Sequence, residues 1–286
     1  MPYFDRDDIT LYYETHGSGP PLLLIAGFAS DSQSWQPVIR TLAEHFSVIV
    51  FDNRGSGRTR PMNDFASIGD MADDCGRLLD HLGLGASHVM GHSMGGFIAQ
   101  ELALRQPHRV ISLILAATAC RNSRRNNALF ADWVDNHTSG ANLEQWFRAV
   151  FYWLFTPRFF DDRLNVAAAV DYAIDYPYPQ SSAALANQVR AMAEFDRSGA
   201  TAKIMLPTLV ITGIEDILFP PETADILVQL LPAARLETIR NAAHSIHSEQ
   251  PDAFCRAIIT FLDVGSRIGL RKRPLSGTGH NHSGSG

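Results

Sequence analysis

Short apolar runs at residues 22–26, 48–51 and 110–116, with a short strand signal at 87–90, alternate along the chain with stretches of helical periodicity. A run that is apolar at nearly every position must be covered on both faces. A mostly parallel sheet with helices on each side provides that cover. The intervening stretches fit this. Trp35, Val38, Ile39 and Leu42 lie at helical spacing within 34–45. Met71, Cys75, Leu78, Leu79 and Leu82 form one face of a helix that Gly83 and Gly85 end. Residues 97–105 read as a third helix, closed by Pro107. Ahead of these, 10–15 reads as a strand and 17–20 as a turn.

The alternation stops after 116. Residues 121–203 contain no buried-strand run, although a crossover between parallel strands needs only about a dozen residues. The stretch is rich in rings, including Trp146, Phe147, Phe151, Tyr152, Trp153, Phe155, Phe159 and Phe160. Leu185, Val189, Met192 and Phe195 add a helical face, with Ser181 and Ser182 as candidate caps. An inserted helical unit is therefore expected. The pattern then resumes with strands at 209–212 and 235–239. Helices at 221–231 and 251–262 each open on proline. The expected organisation is a core of 1–120 and 204–264, a helical cap at 121–203, and a disordered Gly/Ser/His-rich tail at 265–286.

Hydrophobic residues make up 45% of the 286 residues, enough for a large core. Net charge is −6, and the 264 residues ahead of the tail carry 20 basic against 30 acidic side chains. That balance argues against a nucleic-acid partner held on a basic face. The tail itself holds Arg267, Arg271, Lys272 and Arg273 and no acid. Three cysteines, Cys75, Cys120 and Cys255, form no C-x-x-C pair and read as free, mostly buried thiols. The start of the chain carries no basic segment followed by an apolar run. No apolar run approaches the roughly 18 residues that span a bilayer. The cytoplasm is the expected location, with no membrane partner.

Gly91-His92-Ser93-Met94-Gly95 fits G-x-S-x-G and lies between an expected strand and an expected helix. That setting is what a nucleophile elbow requires, since a sharp turn there presents the serine hydroxyl above the sheet. A serine needs a base to take its proton, and the base needs a carboxylate to orient it. In this type of elbow the acid and then the histidine follow the serine in sequence. Asp216 lies just past the strand at 209–212, with Glu215 as its neighbour and rival. His244 lies just past the strand at 235–239. His247 reads better as a supporting side chain, and His280 and His282 fall in the tail. The backbone N–H groups of Met94 and Phe28 are the candidate oxyanion donors. Some rings of the aromatic block, with Trp146, Tyr152 and Trp153 as candidates, are expected to line a substrate pocket. No zinc spacing, Walker motif or complete G-x-G-x-x-G appears, and no metal or organic cofactor is expected.

Five segments together resemble the α/β-hydrolase superfamily, in its serine esterase and lactonase-like branch. They are LLLIAGFASDSQS at 22–34, FDNRGSGRT at 51–59, GHSMGG at 91–96, PTLVITGIEDILFP at 207–220 and HSIHSEQP at 244–251. They run in the family's order. The resemblance implies an α/β fold with a mostly parallel central sheet and an inserted helical cap. It implies Ser93, Asp216 and His244 as triad and Phe28 and Met94 as oxyanion donors. It also implies hydrolysis of a small-molecule carboxylic ester through an acyl-enzyme. Enol-lactone hydrolysis, as in 3-oxoadipate enol-lactonase relatives, C–C hydrolysis and cofactor-free peroxidase activity share the same triad. A hydrolase-like small-molecule receptor is the alternative outside enzymes. Many members carry His-Gly before the oxyanion residue, whereas this chain has Ala26-Gly27.

Overall fold

The computed structural model describes residues 2–6 and 8–269. Its elements are β1 (Tyr3–Arg6), β2 (Ile9–His16), β3 (Pro21–Ile25), α1 (Gln36–Ala43), β4 (Ser47–Phe51), α2 (Ile68–His81), β5 (Ser87–His92), α3 (Met94–Arg105) and β6 (Val110–Ala116). Four helices then follow without a strand: α4 (Arg124–Thr138), α5 (Leu143–Leu154), α6 (Arg163–Ile174) and α7 (Ser182–Ala193). The chain closes with β7 (Thr208–Gly213), α8 (Pro221–Leu230), β8 (Ala234–Ile239), the short α9 (Ile246–Glu249) and α10 (Pro251–Gly269).

All eight strands join one sheet in the order β1-β2-β4-β3-β5-β6-β7-β8. β3 to β8 are parallel, and β1 and β2 add an antiparallel edge. The apolar runs bury both faces, as a period of two requires. Leu22, Leu24, Val48, Val50, Ile114 and Ile211 enter one cluster, with Val38 and Leu42 of α1 and Phe254 and Ile258 of α10. Leu23, Ile25, Ile49, Phe51, Leu113 and Val210 enter the other, with Leu78 of α2, Phe97 of α3 and Leu227 of α8. The fold is thus α/β with helices on both sheet faces, as the sequence pattern predicts.

Local chemistry sets the element ends. Ser67 caps α2, and a reciprocal bond from the Ser67 N–H to Asp70 completes a capping box. Ser181 caps α7 by accepting from the Ala184 N–H. β1 escaped the sequence pattern because its four residues mix tyrosine and phenylalanine with two charges. It forms by pairing with β2, Tyr3 opposite Tyr12 and Phe4 opposite Leu11. The expected end of the last helix is corrected. α10 continues to Gly269, so 265–269 belong to it, and the remainder of the expected tail lies outside the described residues.

The two ends of the helical insertion meet. Arg121 and Asp196 form an isolated bridge, and the Arg197 N–H donates to the Cys120 carbonyl at 2.8 Å. The insertion thus leaves and re-enters the sheet at one place, between β6 and β7. Cys75, Cys120 and Cys255 are free and buried. Among the described residues no helix is long and apolar enough to cross a membrane.

Candidate active site

β5 ends at His92, and α3 starts at Met94, so a single residue turns the chain. Ser93 makes that turn with φ 56° and ψ −119°, a conformation rare for a residue with a Cβ. The crowding explains the flanking glycines. A Cβ at Gly91 would sit 2.0 Å from the Gly95 carbonyl oxygen, and one at Gly95 would sit 2.1 Å from that of Ile25. Neither neighbour is a side chain that could step aside. Thr118 Oγ1, just past the end of β6, donates to the Ser93 carbonyl at 2.8 Å and braces the turn.

Asp216 follows β7 and is buried, whereas Glu215 beside it is exposed. The N–H groups of Leu218 and Phe219 donate to Asp216 Oδ1 at 2.8 and 2.9 Å. Asp216 Oδ2 faces His244 Nδ1 at 3.0 Å. Two fixed backbone donors hold one carboxylate oxygen, so the other has one orientation to offer the imidazole. His244 lines the same cavity as Ser93, and among the described residues no hydrogen bond joins their side chains. Such contacts often tighten only with substrate bound.

The loop after β3 closes the site from the other side. A Cβ at Gly27 would come within 3.1 Å of Ser93 Cβ, so this loop lies directly against the serine. Phe28 follows, its ring against Phe130 of α4 at 5.4 Å between centroids. Met94 occupies the first position of α3, where a helix N–H has no partner within its own helix. The Ala26 departure is accommodated through its carbonyl, which accepts from Asn53 Nδ2 at 3.0 Å. Asn53, in the loop after β4, therefore holds the base of the loop after β3.

A cavity of about 210 Å³ joins these pieces. Ser93, His244, Phe28 and His92 line it from the sheet side, and Phe130, Trp133, Trp146 and Phe147 from the insertion. Trp146 is thus where the sequence expected it, its Nε1–H donating to the Trp133 carbonyl at 2.7 Å. Tyr152 and Trp153 are not in the lining, and that expectation is corrected. Tyr152 is 60% exposed and stacks on Phe160 at 4.9 Å. Trp153 packs on the outer part of the core under the Arg125 guanidinium. α5 carries rings on more than one face, and periodicity does not say which ring turns inward.

Further supporting residues had no motif to mark them. Glu249 Oε1 accepts from the Thr156 N–H and hydroxyl, and its Oε2 accepts from the Ala243 N–H at 2.7 Å. The Ser245 N–H donates to the Leu154 carbonyl at 2.9 Å. The loop bearing His244 is thus bonded to the end of α5. Gln188 of α7 donates to the Arg54 carbonyl and Ser56 Oγ, both at 3.0 Å, and ties the insertion to the loop after β4.

Behind the site, His92 and His247 are buried. The His92 Nε2–H donates to the His244 carbonyl at 2.8 Å, and the His247 ring lies 4.9 Å from Trp35 and 4.8 Å from His92. Burial, and then the neighbouring His244, push His247 down to about 3. Burial also holds His92 well below the usual histidine range, with His247 and His244 adding to the effect. The unfolded chain protonates both near pH 6.5, and the folded chain does not, so stability rises with pH between about 3 and 6.5. Moving from pH 8 to pH 5 should cost about 2 kcal/mol through His247 alone, with His92 acting in the same direction. Urea midpoints at the two pH values, for wild type and His247→Asn, test this. An equal pH dependence in both proteins would refute it.

The geometry can now be set beside known proteins. The family model described as the alpha/beta hydrolase fold matches residues 20–251. The chain belongs to the α/β-hydrolase family, and with it to a class of hydrolytic enzymes. A protein of Azorhizobium caulinodans named carbamate hydrolase RutD is 32% identical over 261 residues, covering 91% of this chain and 98% of its own. The solved structure of the non-heme bromoperoxidase BpoC from Mycobacterium tuberculosis has a TM-score of 0.81 at 29% identity, over 89% of this chain and 96% of that one. A thermophilic esterase from Thermogutta terrifontis gives a TM-score of 0.80 at 28% identity, over 90% and 94%.

Proposed function

We propose that the protein is a serine hydrolase that cleaves the acyl–oxygen bond of a small carboxylic ester. The observation that carries this reading is His244, held by Asp216, lining one cavity with Ser93 on its strained elbow. Ser93 Oγ attacks the acyl carbon while His244 Nε2 takes its proton. The Phe28 and Met94 N–H groups receive the charge that develops on the carbonyl oxygen, and each such donor is worth about 10²–10³ in rate. His244 passes the proton to the departing alkoxide, which leaves an acyl-enzyme. Water then attacks, His244 takes its proton and returns it to Ser93, and the acid is released. Asp216 orients the ring and stabilises its cationic form.

A second reading has its own support. A carbamate presents the same acyl carbon, and the relative of Azorhizobium caulinodans is named for carbamate hydrolysis. The esterase of Thermogutta terrifontis favours the first. The apolar lining predicts an apolar acyl group, and about 210 Å³ holds roughly seven water-sized groups. Turnover of p-nitrophenyl esters from acetate to decanoate should therefore peak at about four to six carbons. A rate highest for acetate would overturn the apolar preference. A carbamate cleaved faster than every ester would favour the second reading.

A further inference from the structure

A second chamber of about 280 Å³ adjoins the one that holds Ser93 and His244. The two share Ala29, Ser30, Ser34, Trp146 and Phe147 in their linings, so a molecule seated at Ser93 can extend from one into the other. Five rings line the second chamber: Trp146, Phe147, Tyr172, Tyr176 and Tyr178. One carboxylate, Asp31, also lines it, although only 6% of that residue reaches solvent. No lysine or arginine is part of the lining, and burial keeps its one histidine, His137, below the usual range.

Among the described residues Asp31 forms no ion pair. It accepts from the Gln33 N–H at 2.9 Å and from the Tyr176 hydroxyl at 2.5 Å, both neutral donors. Arg58 is the guanidinium nearby, but Asp52 engages it from Nε at 2.9 Å and from NH2 at 3.2 Å, and Glu14 lies 3.5 Å away. The group of Asp31, Asp52, Glu14 and Arg58 therefore has more negative than positive partners. Burial first, then Asp52, raises Asp31 above the usual carboxylate range, as expected of an acid short of positive charge. At the mouth, Tyr172 is 66% exposed and Tyr178 is also exposed, and Asp171 and Asp175 beside Tyr172 and Ile174 are exposed acids.

A buried acid within a wall of aromatic rings is the chemistry that holds an organic cation. The rings attract it through their faces and the carboxylate neutralises it. The geometry points to this chamber as a subsite for an alkylammonium or quaternary ammonium group carried by the substrate. It rests on the proposed function only in making that group one side of the ester that Ser93 cleaves. Binding itself does not depend on turnover.

The test compares a cation with its neutral isostere. Choline and 3,3-dimethylbutan-1-ol differ in one atom and one charge. By calorimetry the full-length protein should bind choline at least about tenfold more tightly than the alcohol. Asp31→Asn, which keeps a side-chain acceptor for the Gln33 N–H, should remove most of that difference. Tyr172→Ala, a change on the exposed rim, should reduce it several-fold in a protein that folds normally. Equal affinity for the two molecules, or a preference that survives both substitutions, overturns the subsite. The kcat/KM ratio of butyrylcholine to 3,3-dimethylbutyl butyrate extends this to turnover. Choline binding with no ester cleaved keeps the subsite and removes the ester reading. p-Nitrophenyl esters cleaved with no cation preference in either assay keeps the ester reading and removes the subsite.

Discussion

Ser93→Ala should lower kcat/KM on the best p-nitrophenyl ester by about 10⁵-fold while leaving the thermal midpoint nearly unchanged. The two halves of that expectation have separate causes. In the proposed reaction the hydroxyl supplies the bond-forming oxygen, and the other serines that line the cavity, Ser30, Ser34, Ser245 and Ser248, do not stand on the elbow between β5 and α3. Among the described residues Ser93 Oγ makes no hydrogen bond, so its removal leaves no buried partner stranded. Alanine keeps the Cβ, and with it the backbone conformation at φ 56°. Steady-state kinetics beside a melting curve measure both. Retention of more than a hundredth of the wild-type rate would exclude Ser93 as nucleophile.

Asp216→Asn should cost about 10⁴-fold in kcat, and the geometry says how. One carboxylate oxygen is held by the N–H groups of Leu218 and Phe219. An asparagine keeps those bonds only by putting its carbonyl oxygen there. Its NH₂ group then faces His244 Nδ1, where Asp216 Oδ2 lies at 3.0 Å. Nδ1 must become an acceptor, the ring proton moves to Nε2, and the nitrogen that faces the serine can no longer take a proton. The double variant Ser93→Ala/Asp216→Asn should be no slower than Ser93→Ala alone, because the residues act as a unit. Additive losses would mean that Asp216 acts through something other than His244.

The sheet was legible because its strands are apolar at consecutive positions, which leaves few structures able to bury them. The positions of Ser93, Asp216 and His244 were legible for a related reason. Each lies just past an expected strand, at the end where parallel sheets build sites; Ser93 and His244 line one cavity, and Asp216 lies behind His244 in contact with its Nδ1. Other features had no local signature. Four polar and charged residues of α4, RRNN, precede its apolar face, which only burial against the core reveals. Asn53, Gln188 and Glu249 act through partners 27, 134 and 93 residues away, and no spacing rule reaches that far. Tyr152 and Trp153 differ from Trp146 by which way they face, a property of packing that composition does not carry.

The bonds from Leu154 and Thr156 to Ser245 and Glu249 make the far end of α5 a mechanical extension of the loop that carries His244. Pulling that end outward would swing His244 away from the serine. On the opposite side Tyr172 and Tyr178 stand in solvent, yet Tyr176 between them donates to Asp31 and Gln180 beside them donates to the Gly55 carbonyl. The insertion is thus held to the sheet domain on both sides of the two chambers, through the end of α5 on one and through Tyr176 and Gln180 on the other.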